Sequence, residues 1–215
     1  MTFTNSIPSS EYFHAISDEL TALKTHVVEF VSEHEEVFDV ILYGSTVLGK
    51  PNPNDIDLMI LTKTKLPAMK ARELVLELKR KLSGVIPRER LDVRIISLEE
   101  LFDSNNLASL GIIVEGYSLT KEKPVAELMN GKAYTLFRFT LDGLERKERV
   151  KFQYALKGRD MMSGLLKELN GLQLGAWVIL IPIQHTYKFK EFLDLWGVKY
   201  EAFTILKGAD LFYNL

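Results

Sequence analysis

Two aspartates separated by one residue, Asp55 and Asp57, follow a Gly-Ser pair at Gly44 and Ser45. They stand at the start of an apolar run, Ile56–Leu61, that is typical of a strand. Side chains two residues apart point to the same face of a strand, so both carboxylates are expected side by side. Adjacent carboxylates repel unless a cation compensates them, and their oxygens suit a hard ion such as Mg²⁺. The pattern therefore predicts a divalent metal site.

A third aspartate, Asp92, belongs to the alternating segment LDVRII at 91–96, where it shares one strand face with Arg94. If this strand adjoins the one that begins at Ile56, Asp92 joins the other two carboxylates. Three carboxylates can hold two metal ions, which clamp the attacking and leaving oxygens of an in-line phosphoryl displacement. The sequence thus favours phosphoryl or nucleotidyl transfer.

The Gly-Ser pair adds a phosphate site to this hypothesis. Gly44 lacks the side chain that would keep a triphosphate away from the backbone. Ser45, at the start of a turn or short helix, offers a hydroxyl and an N–H group to phosphate oxygens. We expect the phosphate and metal sites to lie together.

The order of these residues resembles the signature of the DNA polymerase beta-type nucleotidyltransferase superfamily: Gly44-Ser45, nine residues, Asp55-Ile56-Asp57-Leu58, and Asp92 on a later strand. The stretch GSTVLGKPNPNDIDLMIL is most similar to the minimal nucleotidyltransferases of archaea and bacteria, and the resemblance covers about residues 35–120, including EGYSL. Such enzymes move an NMP from an NTP to a hydroxyl and release pyrophosphate. In several minimal members the acceptor is a partner protein's tyrosine or a tRNA end.

The resemblance implies roles for individual residues. Asp55, Asp57 and Asp92 would be the catalytic residues and would bind Mg²⁺ or Mn²⁺, with Asp92 helping to activate the acceptor hydroxyl. Gly44 and Ser45 would hold the phosphates of an NTP, which we expect to be ATP. The expected partners are the NTP and a macromolecular acceptor, either a protein or an RNA such as tRNA.

Two positions depart from the family pattern. Many minimal members have Arg two residues after the Gly-Ser pair, where this chain has Val47, and Ser or Thr before the first Asp, where it has Asn54. Lys50 and Arg94 are the nearest cations in sequence that could supply the missing charge, and we predict both as nucleotide-binding residues.

Helices and strands interleave around these motifs. The order αββαβα predicts an α/β (α+β) fold, a nucleotidyltransferase fold with a small mixed sheet flanked by helices, whose first two strands pair antiparallel. The predicted elements are a helix at 10–33 capped by Ser9 or Ser10, strands at Val40–Tyr43, Ile56–Leu61 and 91–96, a helix at Pro67–Leu82, and a helix at Leu98–Val114 that breaks near Ser104.

A second domain is expected after residue 120. Residues 1–120 contain 12 basic and 18 acidic residues, whereas 121–215 contain 15 and 11, and Lys121–Pro124 is typical of a linker. We therefore predict a catalytic domain at 1–120 and a small, mildly basic α+β domain at 121–215 that binds the acceptor or a partner. In the latter, 177–183 and 198–206 are predicted strands that flank a helix at 186–196 in a βαβ-like unit, and 138–156 fits either a strand or a helix.

Composition narrows the class of protein. The chain of 215 residues contains no cysteine, which excludes disulfides, Cys-ligated zinc, iron–sulfur clusters and a thiol nucleophile, and favours a reducing compartment. Its longest apolar stretch is far shorter than the ~20 residues of a membrane span, and its first residues lack a signal-peptide layout. We expect a cytoplasmic protein that does not enter a membrane. Its four histidines show no metal-binding spacing.

Two other functions stay open at this point. The substitutions at Val47 and Asn54 also suit a catalytically weak or inactive, antitoxin-like module that binds a partner protein or nucleic acid. The second half interleaves aromatic residues such as Phe137 and Phe152 with Arg and Lys, a composition found in nucleic-acid-binding proteins, although core aromatics beside solvated charges are the more ordinary interpretation. The sequence leaves the oligomeric state open.

Overall fold

The chain forms two compact units, and three residues from its first half belong to the second unit. The structure is a computed structural model that describes residues 17–103, 105–159 and 163–208. The first unit comprises Met1–Val47 and Pro51–Leu128, and the second comprises Leu48–Lys50 and Met129–Leu215.

A five-stranded mixed sheet forms the centre of the first unit. Its strands are β1 (Val37–Tyr43), β2 (Ile56–Thr62), β3 (Leu91–Ser97), β4 (Tyr117–Ser118) and β5 (Lys123–Pro124). The order across the sheet is β3-β2-β1-β4-β5. β1 and β2 are antiparallel, as predicted, while β2 and β3 are parallel.

Helices flank this sheet. They are α1 (Ser17–Glu33), α2 (Ala68–Leu82), α3 (Leu98–Leu101), α4 (Leu107–Glu115) and α5 (Val125–Leu128). One sheet face packs Ile41 and Met59 against Leu101, Ile112 and Val125 of the last three helices. β1 and β2 are buried along nearly their whole length, which requires cover on both faces. The predicted α+β fold with a mixed, helix-flanked sheet is therefore confirmed.

Most predicted elements of the first unit match the observed ones to within a few residues. Residues 10–16 of the first predicted helix and its predicted caps, Ser9 and Ser10, lie outside the described residues, as does Ser104 at the predicted break. Either side of that break, α3 ends at Leu101 and α4 begins at Leu107.

The prediction of a linker at Lys121–Pro124 is wrong. Lys123 and Pro124 form β5, which pairs with β4. The Lys121 ammonium donates to the carboxylate of Asp39, a residue of β1 that is 1% exposed. This segment is therefore bound to the first sheet, and the polar composition that suggests a linker instead supplies partners for a buried carboxylate.

A four-stranded antiparallel sheet forms the centre of the second unit. Its elements are β6 (Gly131–Phe139), α6 (Arg146–Lys157), α7 (Leu165–Glu168), β7 (Leu172–Gly175), β8 (Val178–Pro182), α8 (Thr186–Leu195) and β9 (Tyr200–Gly208). The strand order is β7-β8-β6-β9. β8 and β9 both run antiparallel to β6 and so are parallel to each other. Together with α8 they form the predicted βαβ-like unit, and β6 lies between its two strands.

The segment 138–156, which the sequence leaves undecided, is the end of β6 followed by α6. Phe152 and Leu156, one helical turn apart, are fully buried, whereas Val150 and Tyr154 are exposed. Phe152 packs with other aromatic residues of the second core, including Phe139. The described aromatic residues of this region are thus mostly core residues, as the ordinary interpretation holds.

The tripeptide Leu48–Lys50 is bound to the second unit through its backbone. The Tyr187 N–H donates to the Leu48 carbonyl over 3.1 Å. Gly49 has φ +78°, and a Cβ atom at this position would lie 2.1 Å from the Gln184 carbonyl oxygen. Only glycine fits this close backbone approach.

In the described part of the chain, no helix combines the length and the apolar composition needed to cross a membrane.

Candidate active site

Three polar side chains form a row across β1, β2 and β3 at one end of the first sheet. Tyr43, the last residue of β1, lies opposite Asp57, and Asp57 lies opposite Asp92. Residues directly opposite each other point to the same sheet face, with Cβ atoms about 5 Å apart. The two strands are neighbours, which the sequence left as a condition, and their register brings Asp57 and Asp92 together.

Gly44 follows Tyr43 and closes one side of the row. It has φ +73°, and a Cβ atom here would lie 2.7 Å from Oδ2 of Asp57. The position therefore needs glycine both for its backbone conformation and for the space that the Asp57 carboxylate takes. Gly44, Ser45 and Thr46 form a short 3₁₀ helix, in agreement with the predicted turn or short helix at Ser45.

The electrostatics of the row centre on Asp57, which is half-buried. Burial raises the pKa of its carboxyl above the usual 3.8, and the negative charges of Asp92 and Asp55 raise it further, while Arg94 acts in the opposite direction. Burial also raises the pKa of the Tyr43 hydroxyl. The site thus carries excess negative charge, which a bound cation would relieve.

Among the described carboxylates of the row, Arg94 hydrogen-bonds only to that of Asp92. Its Nε and Nη2 atoms lie 3.1 and 2.8 Å from Oδ2 of Asp92. This hydrogen bond to Asp92 is also the main reason why the pKa of Arg94 is raised. No described residue hydrogen-bonds to Oδ1 of Asp92, so one oxygen of this carboxylate is left for another ligand.

The third predicted ligand, Asp55, is exposed and directly precedes β2. The three aspartates do not each bring an oxygen within 4.8 Å of the others, since among the described residues only Glu33, His34 and Glu77 meet that condition. Their all-carboxylate donor set suits a hard divalent cation. A bound cation would also offset the burial and the like-charge repulsion that raise the pKa of Asp57. The aspartates thus fit a divalent cation by the type of their ligand atoms. To bind one ion together, their oxygens would have to move closer to one another.

The cluster of Glu33, His34 and Glu77 lies at the end of α1 and on α2. The Lys81 ammonium is 2.7 Å from Oε2 of Glu33, and His34 Nε2 is 3.4 Å from Oε1 of Glu77. The Lys81 ammonium therefore already compensates the Glu33 carboxylate, whereas His34 Nε2 is buried without a hydrogen-bond partner among the described residues. We assign no metal to this cluster.

The remaining predicted residues, Ser45 and Lys50, belong to different units of the structure. Ser45 is half-buried beside Gly44, and no described residue hydrogen-bonds to its hydroxyl. Lys50, predicted to bind the nucleotide, belongs to the second unit and is not grouped with the other six predicted residues.

Sequence reasoning missed Thr46. This residue is 2% exposed, and its Oγ1 atom is buried without a hydrogen-bond partner among the described residues. Its position directly after Gly44-Ser45 is the signal that could have drawn attention to it.

Comparison with known families supplies the domain type. Residues 25–115 match the family model described as polymerase beta, nucleotidyltransferase. This part of the chain matches a polymerase beta-type nucleotidyltransferase domain. It contains Gly44, Ser45, the three aspartates and Arg94. A search among curated proteins finds no significant match to the chain.

Solved structures similar to the chain include three toxin–antitoxin complexes. The tri-AMPylated HEPN toxin of Shewanella oneidensis with its MNT antitoxin matches at 19% identity over 46% of this chain and 71% of that chain, with a TM-score of 0.33. A MntA–HepT complex matches at 18% identity over 46% and 70%, with a TM-score of 0.32. A toxin–antitoxin complex with AMP-PNP matches at 19% identity over 45% and 71%, with a TM-score of 0.33.

Within the nucleotidyltransferase domain, the two departures from the family pattern differ in burial. Val47 is 1% exposed, so an arginine could not replace it without disrupting the core. Asn54 is exposed on the loop before Asp55. The side chain of Arg94, by contrast, lies beside Asp92 and brings a guanidinium to the row of polar side chains.

Proposed function

We propose that the protein is a metal-dependent nucleotidyltransferase that moves an NMP from an NTP, expected to be ATP, to a hydroxyl of a macromolecular acceptor. The acceptor oxygen forms a bond to the α-phosphorus, the bond from that phosphorus to the α–β bridging oxygen breaks, and pyrophosphate leaves. One observation carries the proposal: Asp57 and Asp92 lie in register on adjacent strands, beside a Gly44 that gives room to the Asp57 carboxylate.

In this proposal Asp55, Asp57 and Asp92 hold Mg²⁺ or Mn²⁺, which would neutralise the charge that develops on the phosphate oxygens. The raised pKa of Asp57 supports this role, because burial and the like charges of Asp92 and Asp55 disfavour the ionised carboxyl, and a cation would stabilise it. The free oxygen of Asp92, Oδ1, is proposed to accept the proton of the attacking hydroxyl.

The phosphate-binding residues in the proposal are Gly44, Ser45, Arg94 and Lys50. Ser45 offers an unengaged hydroxyl and the N–H of a 3₁₀ turn. Arg94 can exchange Asp92 for a phosphate oxygen, since guanidinium groups bind both through charge-assisted hydrogen bonds. Lys50 lies on the loop between Gly44-Ser45 and Asp55, in the short segment that belongs to the second unit.

The acceptor is proposed to be a protein or an RNA such as tRNA, selected by the second unit. The excess of basic residues after residue 120 supports such a role, since it suits an acidic partner. The cytoplasm remains the proposed location, on the ground that the chain has no cysteine.

Pyrophosphate release from each of the four NTPs tests the proposal, measured with Mg²⁺ or Mn²⁺ and with total RNA or cell extract. We expect release that needs the metal and the extract, is lost in Asp55→Asn and Asp57→Asn, and is retained in Asp142→Asn, which changes an exposed aspartate of the second unit. Unchanged release by Asp57→Asn would overturn the proposal. The labelled species in the extract would identify the acceptor.

A second candidate is an antitoxin-like module that acts by contact alone. The pairing of Arg94 with Asp92 favours it, because a catalytic carboxylate that stays paired with arginine is a poorer metal ligand and base. Such a module would inhibit its partner stoichiometrically and without nucleotide. The inhibition would survive in the Asp55→Asn/Asp57→Asn double variant. An inhibition that needs an NTP and both aspartates would exclude it.

A further inference from the structure

The strand β9 forms one edge of the second sheet. It pairs with β6 along its whole length, from Tyr200 opposite Phe139 to Gly208 opposite Gly131. Within the described part of the chain, no strand pairs with its outer side. Nine residues of backbone thus present alternate N–H and C=O groups at an open edge, which is the surface that an added strand uses.

The side chains of β9 do not protect this edge. Phe203 is 51% exposed and Leu206 is 41% exposed. Glu201 and Lys207 are the only charged side chains of the strand, and they lie near its two ends. Edge strands of monomeric proteins commonly carry central charges, a proline or a bulge, and β9 has none of these over its paired length.

We propose that β9 pairs antiparallel with β9 of a second copy of this chain, about a two-fold axis at Thr204. In this register Glu201 lies opposite Lys207 of the second copy, Phe203 lies opposite Ile205, and both pairs occur twice. Opposed residues in an antiparallel pair point to the same sheet face, so the paired side chains meet. The result is one continuous sheet of eight strands, four from each copy.

A second copy is the occupant that the strand's own sequence specifies. Opposite charges placed symmetrically about Thr204 attract only when β9 meets another β9 in this register. Within one chain the two residues are six positions apart on the same strand, about 20 Å, so they do not form a pair with each other. Glu201 contacts Arg138 of β6 at 3.2 Å, an exposed ion pair that holds the carboxylate on this face.

A charge-swap series tests the pairing, with the mass of the full chain measured by sedimentation equilibrium over a range of concentrations. We expect the mass to rise from 24.6 kDa toward twice that value as concentration increases. Glu201→Lys and Lys207→Glu each place two like-charged pairs in the interface and should weaken dimerisation about tenfold. The double variant Glu201→Lys/Lys207→Glu restores both attractions and should dimerise nearly as tightly as the original chain.

The matched control is Glu191→Lys, an equal charge change at an exposed position of α8, which should leave dimerisation unchanged. The double variant shares with Glu201→Lys the loss of the Arg138 contact, so rescue relative to that single variant reports the contact between copies. A monomer at all concentrations overturns the proposal. So does a dimer that ignores the charge swaps, or a monomer whose β9 amides resist hydrogen exchange on the outer edge, which would mean that the chain itself covers the strand.

Discussion

Asp57 and Asp92 lie opposite each other on parallel strands, yet Arg94 hydrogen-bonds only to Asp92. Burial and the negative charges of Asp92 and Asp55 raise the pKa of Asp57, and the positive charge of Arg94 offsets them only in part. A site with this imbalance lowers the stability of the protein that contains it until a cation binds.

The first prediction is that Asp57→Asn stabilises the fold. A raised pKa means that the folded state binds this proton more tightly than the unfolded state, so the ionised carboxyl costs stability at neutral pH. We expect a gain of about 0.5 kcal/mol in the free energy of unfolding, a small value because the side chain is half-exposed and screened by solvent. Urea unfolding at several pH values measures it.

The gain should be complete above the folded-state pKa of Asp57 and should disappear as the pH falls below its unfolded value, near 3.8. Asp142→Asn serves as the control and should show no such dependence. Mg²⁺ should raise the melting temperature of the original chain and not that of Asp57→Asn. A destabilised Asp57→Asn variant at neutral pH would contradict the electrostatic account.

The second prediction concerns Gly44. Gly44→Ala places a Cβ atom 2.7 Å from the Asp57 carboxylate and forces alanine to adopt φ +73°. We expect a loss of about 2 kcal/mol in stability, with reduced pyrophosphate release because the carboxylate must move. Gly84→Ala is the matched control, since nothing lies within 4 Å of its added Cβ atom. Equal effects of the two substitutions in thermal unfolding would argue against the close approach.

The third prediction concerns the buried carboxylate of Asp39. It accepts hydrogen bonds from Ser118 Oγ at 2.6 Å, Thr120 Oγ1 at 2.7 Å and Lys121 Nζ at 2.9 Å. Asp39→Ala leaves these donors without their acceptor and should cost about 3 kcal/mol. Adding Lys121→Met removes the stranded charge and should recover part of the loss in urea unfolding. Additive losses in the double variant would show that the ion pair contributes little.

The fourth prediction concerns Thr46, whose buried hydroxyl has no hydrogen-bond partner among the described residues. Thr46→Val keeps the shape of the side chain and removes the unsatisfied group, so we expect a gain of about 1 kcal/mol in stability. Thr62→Val is the contrast, because Thr62 Oγ1 donates to the Thr64 carbonyl over 2.9 Å and its removal should cost stability. A destabilised Thr46→Val variant would mean that the hydroxyl has a partner, such as an ordered water.

The elements of the first unit could be predicted because each carries a regular pattern of its own. β2 is a short apolar run, β3 is an alternating segment, and α2 has helical spacing, with Leu74, Leu78 and Leu82 fully buried on one side. β4 and β5 could not be predicted, since two residues are too few to show a period. The bond between Asp39 and Lys121 joins residues 82 positions apart, a contact that no local pattern encodes.

The segment that became α6 shows why two periods can compete. Val150, Phe152, Tyr154 and Leu156 alternate like a strand, yet Phe152 and Leu156 are also one helical turn apart. The surrounding Lys, Arg and Glu favour helix, and burial of that one pair decides the outcome. Local sequence contains both patterns, whereas the choice depends on the sheet against which the segment packs.

In the candidate site, too, some features follow from local sequence patterns and others depend on long-range contacts. Strand geometry predicts the shared face of Asp92 and Arg94, because this follows from a period of two. The pairing of β2 with β3, which brings Asp57 opposite Asp92, is a long-range contact that the sequence left open. The hydrogen bonds from Arg94 to Asp92 depend on side-chain rotamers, which the sequence does not specify. The assignment of Lys50 to the second unit depends on long-range packing, which no local sequence pattern encodes.

The tripeptide Leu48–Lys50 limits how this protein can be recombined. The chain passes between its two units at three points, and the first two lie inside the loop that joins Gly44-Ser45 to Asp55. If Met129–Leu215 alone were moved into another protein, the Tyr187 N–H would lose its acceptor, the Leu48 carbonyl. The moved segment would also lose Gly49, which fits against the Gln184 carbonyl. The two units are therefore not interchangeable modules, and any functional transplant of the second unit must carry this short loop segment with it.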